Sequence, residues 1–117
     1  MKILKHRDIL QKNISNEKNL SFIPTMGGLH EGHKKMIKMA KKRFKTVLVS
    51  IYVNPKQFNS KNDFKSYPRN LKKDIQLLKK LKVNYLYLPT YSDIFSFKTK
   101  KNIFLHSFSK KLCGKFR

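Results

Sequence analysis

Residues 46–53, with the sequence TVLVSIYV, constrain the fold more than any other part of the chain. Their β-branched and apolar side chains follow one another without polar alternation, which is typical of a strand buried on both faces of a parallel sheet. Two other apolar segments also predict strands: residues 20–24, closed by Pro24, and residues 84–88, followed by Pro89. A chain with three such strands is expected to fold as a layered α/β domain.

In the segments between these strands, apolar residues recur at the spacing of a helix. Among the lysines of residues 31–44, five apolar side chains share one helical face: Met36, Ile37, Met39, Ala40 and Phe44. Asn70 is a suitable N-cap for a second helix. Its inward-facing residues are expected to be Leu71, Ile75, Leu78 and Leu81.

The order strand, helix, strand, helix, strand allows right-handed parallel crossovers. The expected fold class is therefore α/β, a Rossmann-like doubly wound parallel sheet. A short amphipathic helix is predicted for residues 8–16, with Ile9, Leu10 and Ile14 on its apolar face. A further strand is predicted at residues 102–105 and a helical turn at 108–112. Because ligands of such sheets bind beyond the carboxyl ends of the strands, the loops at 25–32 and 54–69 are the places to expect a site.

The first of these loops carries an unusual histidine pair within the sequence TMGGLHEGH, residues 25–33. Glycines let a backbone approach a ligand closely, and free N–H groups at a helix start form a site for phosphate. His30 and His33 are three residues apart, so both rings lie on one side of a helical turn and can donate hydrogen bonds to phosphate oxygens. Histidine pairs at this spacing are more often structural than catalytic, but the position between a buried strand and a helix favours a functional site.

Other kinds of site fit the residues poorly. No Gly-Lys-Ser/Thr follows the glycines, and their spacing is not G-x-G-x-x-G, so neither a Walker loop nor a dinucleotide motif is present. A zinc ion would need further ligands, and His6, His106 and Cys113 are distant from the pair and unsuitably spaced. No metal-ligating residue is therefore expected.

The charge of the chain is strongly positive, with 28 Lys and Arg against 6 Asp and Glu and a net charge of +22. Such a balance attracts polyanions. However, 24 of the 28 are lysines spread over every segment, and the abundant Lys, Asn, Ile and Phe share A/T-rich codons, so codon composition is the simpler explanation. A basic nucleic-acid-binding module remains an alternative, although arginine is scarce and the aromatic residues fit core positions. The expectation is that no specific nucleic acid is bound.

A single cysteine and the absence of any long apolar run favour a cytoplasmic protein with no membrane partner. The start of the chain is charged and lacks the apolar region of a signal peptide.

The H-x-G-H signature of residues 30–33 resembles the superfamily of nucleotidylyltransferases and class I aminoacyl-tRNA synthetases. The longer string FIPTMGGLHEGH, residues 22–33, is similar to the pantothenate synthetase (pantoate–β-alanine ligase) family. Three further blocks agree in order and spacing: VSIYVNPKQF at 49–58, DFKSYPRNLKKD at 63–74 and LCGKFR at 112–117. Another H-x-G-H nucleotidylyltransferase is the alternative within enzymes, and the second and third blocks speak against it.

The resemblance implies ATP-dependent condensation of pantoate with β-alanine through a pantoyl-adenylate, releasing AMP and pyrophosphate. It implies that His33 is the catalytic proton donor and that Gln57 binds pantoate and lies at the β-alanine site. The implied ATP-binding residues are Met26, Gly27, Gly28, Leu29, His30, Glu31, Gly32 and His33. Mg²⁺ would accompany the ATP, and the family implies a homodimer.

Members of this family are more than twice as long as the present 117 residues. The resemblance therefore implies that residues 1–117 form a partial Rossmann-like domain that binds ATP and pantoate, without the C-terminal half and closing domain of the family. By itself the 117-residue chain is expected to be an incomplete enzyme.

Overall fold

The computed structural model describes residues 1–95, and these form a parallel sheet with helices on both faces. The strands are β1 (Lys2–Leu4), β2 (Leu20–Thr25), β3 (Thr46–Ile51) and β4 (Tyr85–Tyr87). The helices are α1 (Arg7–Ile14), α2 (Glu31–Arg43), α3 (Lys61–Ser66), α4 (Leu71–Lys80) and α5 (Tyr91–Phe95), with a 3₁₀ turn at Pro55–Gln57. All neighbouring strands pair in parallel in the order β1-β4-β3-β2, which confirms the predicted α/β class. The strand and the turn predicted at 102–105 and 108–112 lie outside the described residues.

Alternation along β3 divides the core into two clusters, one on each face of the sheet. Leu48 belongs to the cluster that contains Leu10 and Ile14 of α1. Its neighbours in sequence, Val47 and Val49, belong to the opposite cluster. That second cluster also holds the buried residues of α2 and α4, Ile37, Ala40 and Leu78. The continuous apolar sequence of β3 is thus explained by helices covering both faces of the strand.

The strand order accounts for which helix lies on which face. The chain runs from β2 to β3 to β4 in one direction across the sheet, whereas the step from β1 to β2 runs from one edge to the other in the opposite direction. Right-handed crossovers in opposite directions place their helices on opposite faces. α2 and α4 therefore share one face and α1 covers the other, as a doubly wound sheet requires.

Four elements of the structure were not predicted from the sequence: β1, the 3₁₀ turn, α3 and α5. Strand β1 is not apparent in the sequence, because it has three residues, begins with Lys2 and buries only Leu4. It forms an edge through parallel pairing with β4, where Ile3 is the partner of Leu86. The predicted loop at 54–69 contains the 3₁₀ turn and α3, whose N-cap Ser60 accepts the Asp63 N–H at 3.1 Å. Elements this short bury too little to leave a periodic pattern.

Three apolar residues expected to face inward are instead exposed: Ile9 (44 %), Met39 (48 %) and Leu71 (43 %). Ile9 and Met39 each precede a residue that faces the core, Leu10 and Ala40. Leu71 is the first residue of α4, where the helix does not yet pack on the sheet. No helix within residues 1–95 is long and apolar enough to cross a membrane.

Candidate functional site

The carboxyl ends of β2 and β3 lie side by side, so the two loops singled out by the sequence leave the same edge of the sheet. Thr25, the last residue of β2, is paired with Ile51, the last residue of β3. The Tyr52 N–H donates to the Thr25 carbonyl at 3.0 Å, and Thr25 Oγ1 donates to the Ser50 carbonyl at 2.9 Å. These bonds extend the pairing of the strands into the start of each loop.

A left-handed turn follows β2 at two successive glycines, Gly27 with φ of 82° and Gly28 with φ of 60°. L-residues rarely adopt this conformation, which explains the need for glycine. The Gly27 N–H donates to Thr25 Oγ1 at 3.2 Å. A Cβ at Gly27 would stand 3.2 Å from Asp74 Oδ2 and 3.2 Å from Ile51 Cγ2, whereas a Cβ at Gly28 would meet nothing within 4 Å. The backbone at Gly27 is therefore closely packed as well as left-handed.

Asp74, a residue of α4, completes the loop from 45 residues away. Its Oδ2 accepts the Gly28 N–H and its Oδ1 accepts the Leu29 N–H, both at 3.0 Å. The residue is only 5 % exposed. Asp74 is not among the site residues predicted from the sequence, although a carboxylate four residues before the buried Leu78 of an amphipathic helix is a usable signal. Acidic side chains on a core-facing stripe need a specific partner.

The two histidines cap the start of α2 for each other. Nδ1 of His30, the N-cap residue, accepts the Gly32 N–H at 3.1 Å, and Nδ1 of His33 accepts the His30 N–H at 3.2 Å. Their ring centroids are 4.2 Å apart. Because each Nδ1 is an acceptor, the neutral form of each ring carries its proton on Nε2. The capping geometry thus selects the tautomer and leaves two Nε2–H donors.

His33 is neutral at pH 7 because its pKa is held below the usual value. Burial is the main cause, and the neighbouring His30 lowers the pKa further. The charge of Asp74 acts in the opposite direction. A neutral imidazole with Nε2–H can donate one hydrogen bond to an anion without first gaining a proton.

Gly32 lies close to the side chain of His30. A Cβ there would lie 3.0 Å from Cε1 and 3.3 Å from Nδ1 of His30, so the small residue makes room for the His30 ring.

Glu31 is exposed and forms an ion pair with Lys34, whose Nζ lies 2.9 Å from Oε1. Hydrogen bonding to Lys34 and its charge lower the pKa of Glu31. Met26, immediately before the glycines, is partly buried.

Backbone donors in this loop are mostly used within the protein. Five N–H groups have internal acceptors: those of Gly27, Gly28, Leu29, His30 and Gly32. The expectation of free N–H groups at the start of α2 is therefore only partly correct. The Nε2–H groups of the two histidines become the main donors that the loop can offer to an anion.

Gln57 lies in the neighbouring loop, exposed, at the end of the 3₁₀ turn. Asn54 caps that turn by accepting the Lys56 N–H at 2.9 Å, and the Asn54 carbonyl accepts the Gln57 N–H at 3.1 Å. Both loops therefore begin at the same sheet edge, with the histidines at the start of a helix in one and Gln57 on a capped turn in the other.

An aromatic cluster follows Gln57 directly. The Phe58 ring makes edge contacts with Phe64 at 5.5 Å and Tyr67 at 5.4 Å between centroids. The Arg69 guanidinium lies 4.8 Å from the centre of the Phe64 ring. It donates to the carbonyls of Phe64 at 2.8 Å, Tyr67 at 2.9 Å and Lys65 at 3.4 Å. Arg69 thus closes the end of α3 and holds the Phe64 ring, which contacts Phe58 next to Gln57.

A metal centre made by protein side chains alone is not found in this part of the chain. Within residues 1–95, no group of three or more His, Cys, Asp or Glu side chains is arranged to hold a metal ion. Both oxygens of Asp74 accept backbone N–H groups.

Comparison with known proteins points to one family. The family model for pantoate-beta-alanine ligase matches residues 1–117. The pantothenate synthetase of Thermosipho melanesiensis is 42 % identical over 113 residues, covering 97 % of this chain and 40 % of the relative. That of Endomicrobium trichonymphae is 40 % identical over 121 residues, covering 100 % of this chain and 43 % of the relative.

Solved structures agree with this result. The pantoate-beta-alanine ligase of Francisella tularensis, solved in complex with beta-gamma ATP and beta-alanine, has a TM-score of 0.79 and 40 % identity, covering 82 % of this chain and 38 % of its own. The Thermus thermophilus enzyme has a TM-score of 0.76 and 33 % identity, covering 81 % of this chain and 34 % of its own. The present chain thus spans about two-fifths of the length of the relatives it matches. Since the family model matches every residue from 1 to 117, the chain belongs to the pantoate-beta-alanine ligase family.

Proposed function

We propose that this chain supplies the ATP- and pantoate-binding part of an enzyme that condenses pantoate with β-alanine to give pantothenate. The observation that carries the proposal is the mutual capping of His30 and His33, which leaves two Nε2–H donors at the sheet edge where α/β domains bind ligands. Family membership and the ATP complex of the Francisella relative support the choice of nucleotide.

In the proposed first step, a carboxylate oxygen of pantoate attacks the α-phosphorus of ATP, and the bond to the bridging oxygen of pyrophosphate breaks. Such a reaction needs stabilisation of charge on phosphate oxygens rather than an enzyme nucleophile. His30 and His33 provide it through Nε2–H. In the second step, the amine of β-alanine attacks the acyl carbon of pantoyl-adenylate and AMP leaves.

The role of His33 follows from its protonation state. Because its pKa is held low, His33 meets the nucleotide as a neutral hydrogen-bond donor. A bound polyphosphate favours the imidazolium form, since an anion nearby stabilises the charged ring. In that form Nδ1 carries a proton and no longer accepts the His30 N–H, and the Nε2 proton can pass to the leaving pyrophosphate, which is the donor role expected from the family.

Gln57 is assigned to pantoate and to the β-alanine site. A neutral amide bonds both hydroxyl and carboxylate groups without adding charge. We propose that Mg²⁺ enters with ATP on its phosphates. The proposal also includes a homodimer, a cytoplasmic location and a partial Rossmann-like domain over residues 1–117.

A chimera tests the proposed activity. Residues 1–95 replace the matching segment of the Francisella tularensis ligase, and pantothenate formation from pantoate, β-alanine and ATP is measured. We expect activity that depends on all three substrates. A chimera that is folded by circular dichroism and remains inactive would contradict the proposal.

Nucleotide binding by the 117-residue chain provides a second test. We expect weak ATP binding that decreases with salt, because the net charge of +22 is screened at high ionic strength. Substitution His30→Asn, which removes Nε2 but keeps an acceptor near Nδ1, should reduce binding further. Tighter binding of single-stranded RNA than of ATP, unaffected by His30→Asn, would instead favour the nucleic-acid-binding alternative.

A further inference from the structure

Asp74 is a buried carboxylate to which the proposed reaction assigns no role. It is 5 % exposed in the first half of α4, and among residues 1–95 it forms no ion pair with a lysine or arginine. A carboxylate in such a place destabilises the fold unless hydrogen bonds compensate for lost hydration. Its presence on the face of α4 that also carries Ile75 and Leu78 calls for a specific partner.

That partner is the glycine turn of the histidine loop. Each carboxylate oxygen accepts one backbone N–H, from Gly28 and from Leu29, at 3.0 Å. Hydrogen bonds to an ionised acceptor are stronger than neutral ones. The oxygen Oδ2 would also stand 3.2 Å from a Cβ at Gly27, so the carboxylate packs directly against the left-handed turn.

The contact adds a polar link between the turn and α4 to the apolar packing of Leu29 against the core cluster that contains Leu78. Gly28 and Leu29 immediately precede His30, the N-cap of α2. Asp74 belongs to α4. Leu78, one helical turn further along the same helix, is completely buried against the sheet. A displacement of the turn would therefore move His30, which takes part in both capping hydrogen bonds.

We propose, on the basis of the proposed function, that Asp74 is the positioning residue of the nucleotide-binding loop. It holds Gly28 and Leu29 so that His30 and His33 present Nε2–H to the phosphates. Asp74 itself does not contact the nucleotide, and the N–H groups it occupies are not phosphate donors.

The test uses the 117-residue chain and its variant Asp74→Asn. The amide keeps the shape of the side chain but offers a single acceptor oxygen and no charge. We expect the apparent dissociation constant for ATP to rise about tenfold, as it does when roughly a tenth of the loops remain competent to bind. Asp63→Asn is the matched control, because it removes the same charge from the exposed first turn of α3; it should leave ATP affinity within about twofold, as expected for a screened surface charge.

Two measurements distinguish positioning from general stability and need no ligand. Proton NMR should show a lower pKa for His33 in Asp74→Asn, because Asp74 raises that pKa and His30 and burial lower it. In the wild-type chain, the amides of Gly28 and Leu29 should be protected from hydrogen exchange. Fast exchange of both amides in the wild type would overturn the proposal even if the variant failed to fold.

Failure of the proposed function and failure of this inference have different signatures. If the wild-type chain does not bind ATP, the proposed nucleotide site is contradicted, while amide protection and the His33 pKa still decide whether Asp74 holds the loop. If wild type and Asp74→Asn bind ATP equally well, Asp74 does not position the nucleotide-binding loop.

Discussion

Nδ1 of His33 accepts the backbone N–H of His30 at 3.2 Å, so one member of the histidine pair holds the other at the start of α2. A second capping bond runs from the Gly32 N–H to Nδ1 of His30. Both rings are consequently structural through Nδ1 and chemically available through Nε2. A substitution that removes a whole ring changes both properties, so the variants must separate them.

Replacement of His33 in the active chimera should reduce catalysis without unfolding the domain. For His33→Ala we expect kcat for pantoate-dependent exchange between pyrophosphate and ATP to fall by about 10²–10³, the usual effect of removing a preorganised donor. His33→Asn retains an acceptor close to the position of Nδ1 and loses Nε2. If His33→Asn exchanges at the wild-type rate, His33 is a capping residue only.

The lowered pKa of His33 predicts a pH dependence of stability. Below pH of about 6.5 the unfolded chain binds a proton at this residue before the folded chain does. The contribution of His33 to the free energy of unfolding is therefore complete above its pKa in the unfolded chain. This contribution is lost as pH falls through the lower pKa of the folded chain. Thermal unfolding between pH 8 and pH 5 should show a steeper decline in Tm for wild type than for His33→Asn. Equal declines would contradict the direction of the shift.

The two glycines of the turn should respond differently to alanine. Gly27→Ala places a Cβ 3.2 Å from both Asp74 Oδ2 and Ile51 Cγ2 and also forces a left-handed alanine, so we expect a loss of about 2–3 kcal/mol in the free energy of unfolding. In Gly28→Ala the new Cβ meets no atom within 4 Å. The free energy of unfolding should therefore fall only by the cost of a left-handed alanine, about 1 kcal/mol. Urea denaturation of both variants makes the comparison. A larger loss for Gly28→Ala would show that the close packing at Gly27 is not as described.

Arg69 should stabilise α3, whose Phe64 ring contacts Phe58 next to Gln57. Arg69→Lys retains the charge but loses the planar group that reaches three carbonyls, and the free energy of local opening of α3 should fall by about 1 kcal/mol. Hydrogen exchange of the α3 amides measures the change. Lys65→Ala, at an exposed position of the same helix, is the control and should leave exchange unaltered.

Local sequence patterns were sufficient for most of the regular structure. The β-branched run at residues 46–53 predicts a buried strand, and β3 occupies Thr46–Ile51. Asn70 is predicted as an N-cap, and its side chain accepts the Lys73 N–H at 3.1 Å. The histidine loop is recognisable because its residues are contiguous, so a motif and its place between strand and helix are visible together.

Contacts between distant segments were decided only by the tertiary structure. Strand β1 exists through pairing with β4, more than 80 residues away, and Lys2, Ile3 and Leu4 have no pattern of their own. Asp74 reaches the glycine turn only because right-handed crossovers put α2 and α4 on one face of the sheet. The sequence by itself determined the strands, the helices and the histidine pair, since these depend on neighbours along the chain. The carboxylate that holds the loop and the tautomers of the two rings depend on neighbours in space, which only the folded chain supplies.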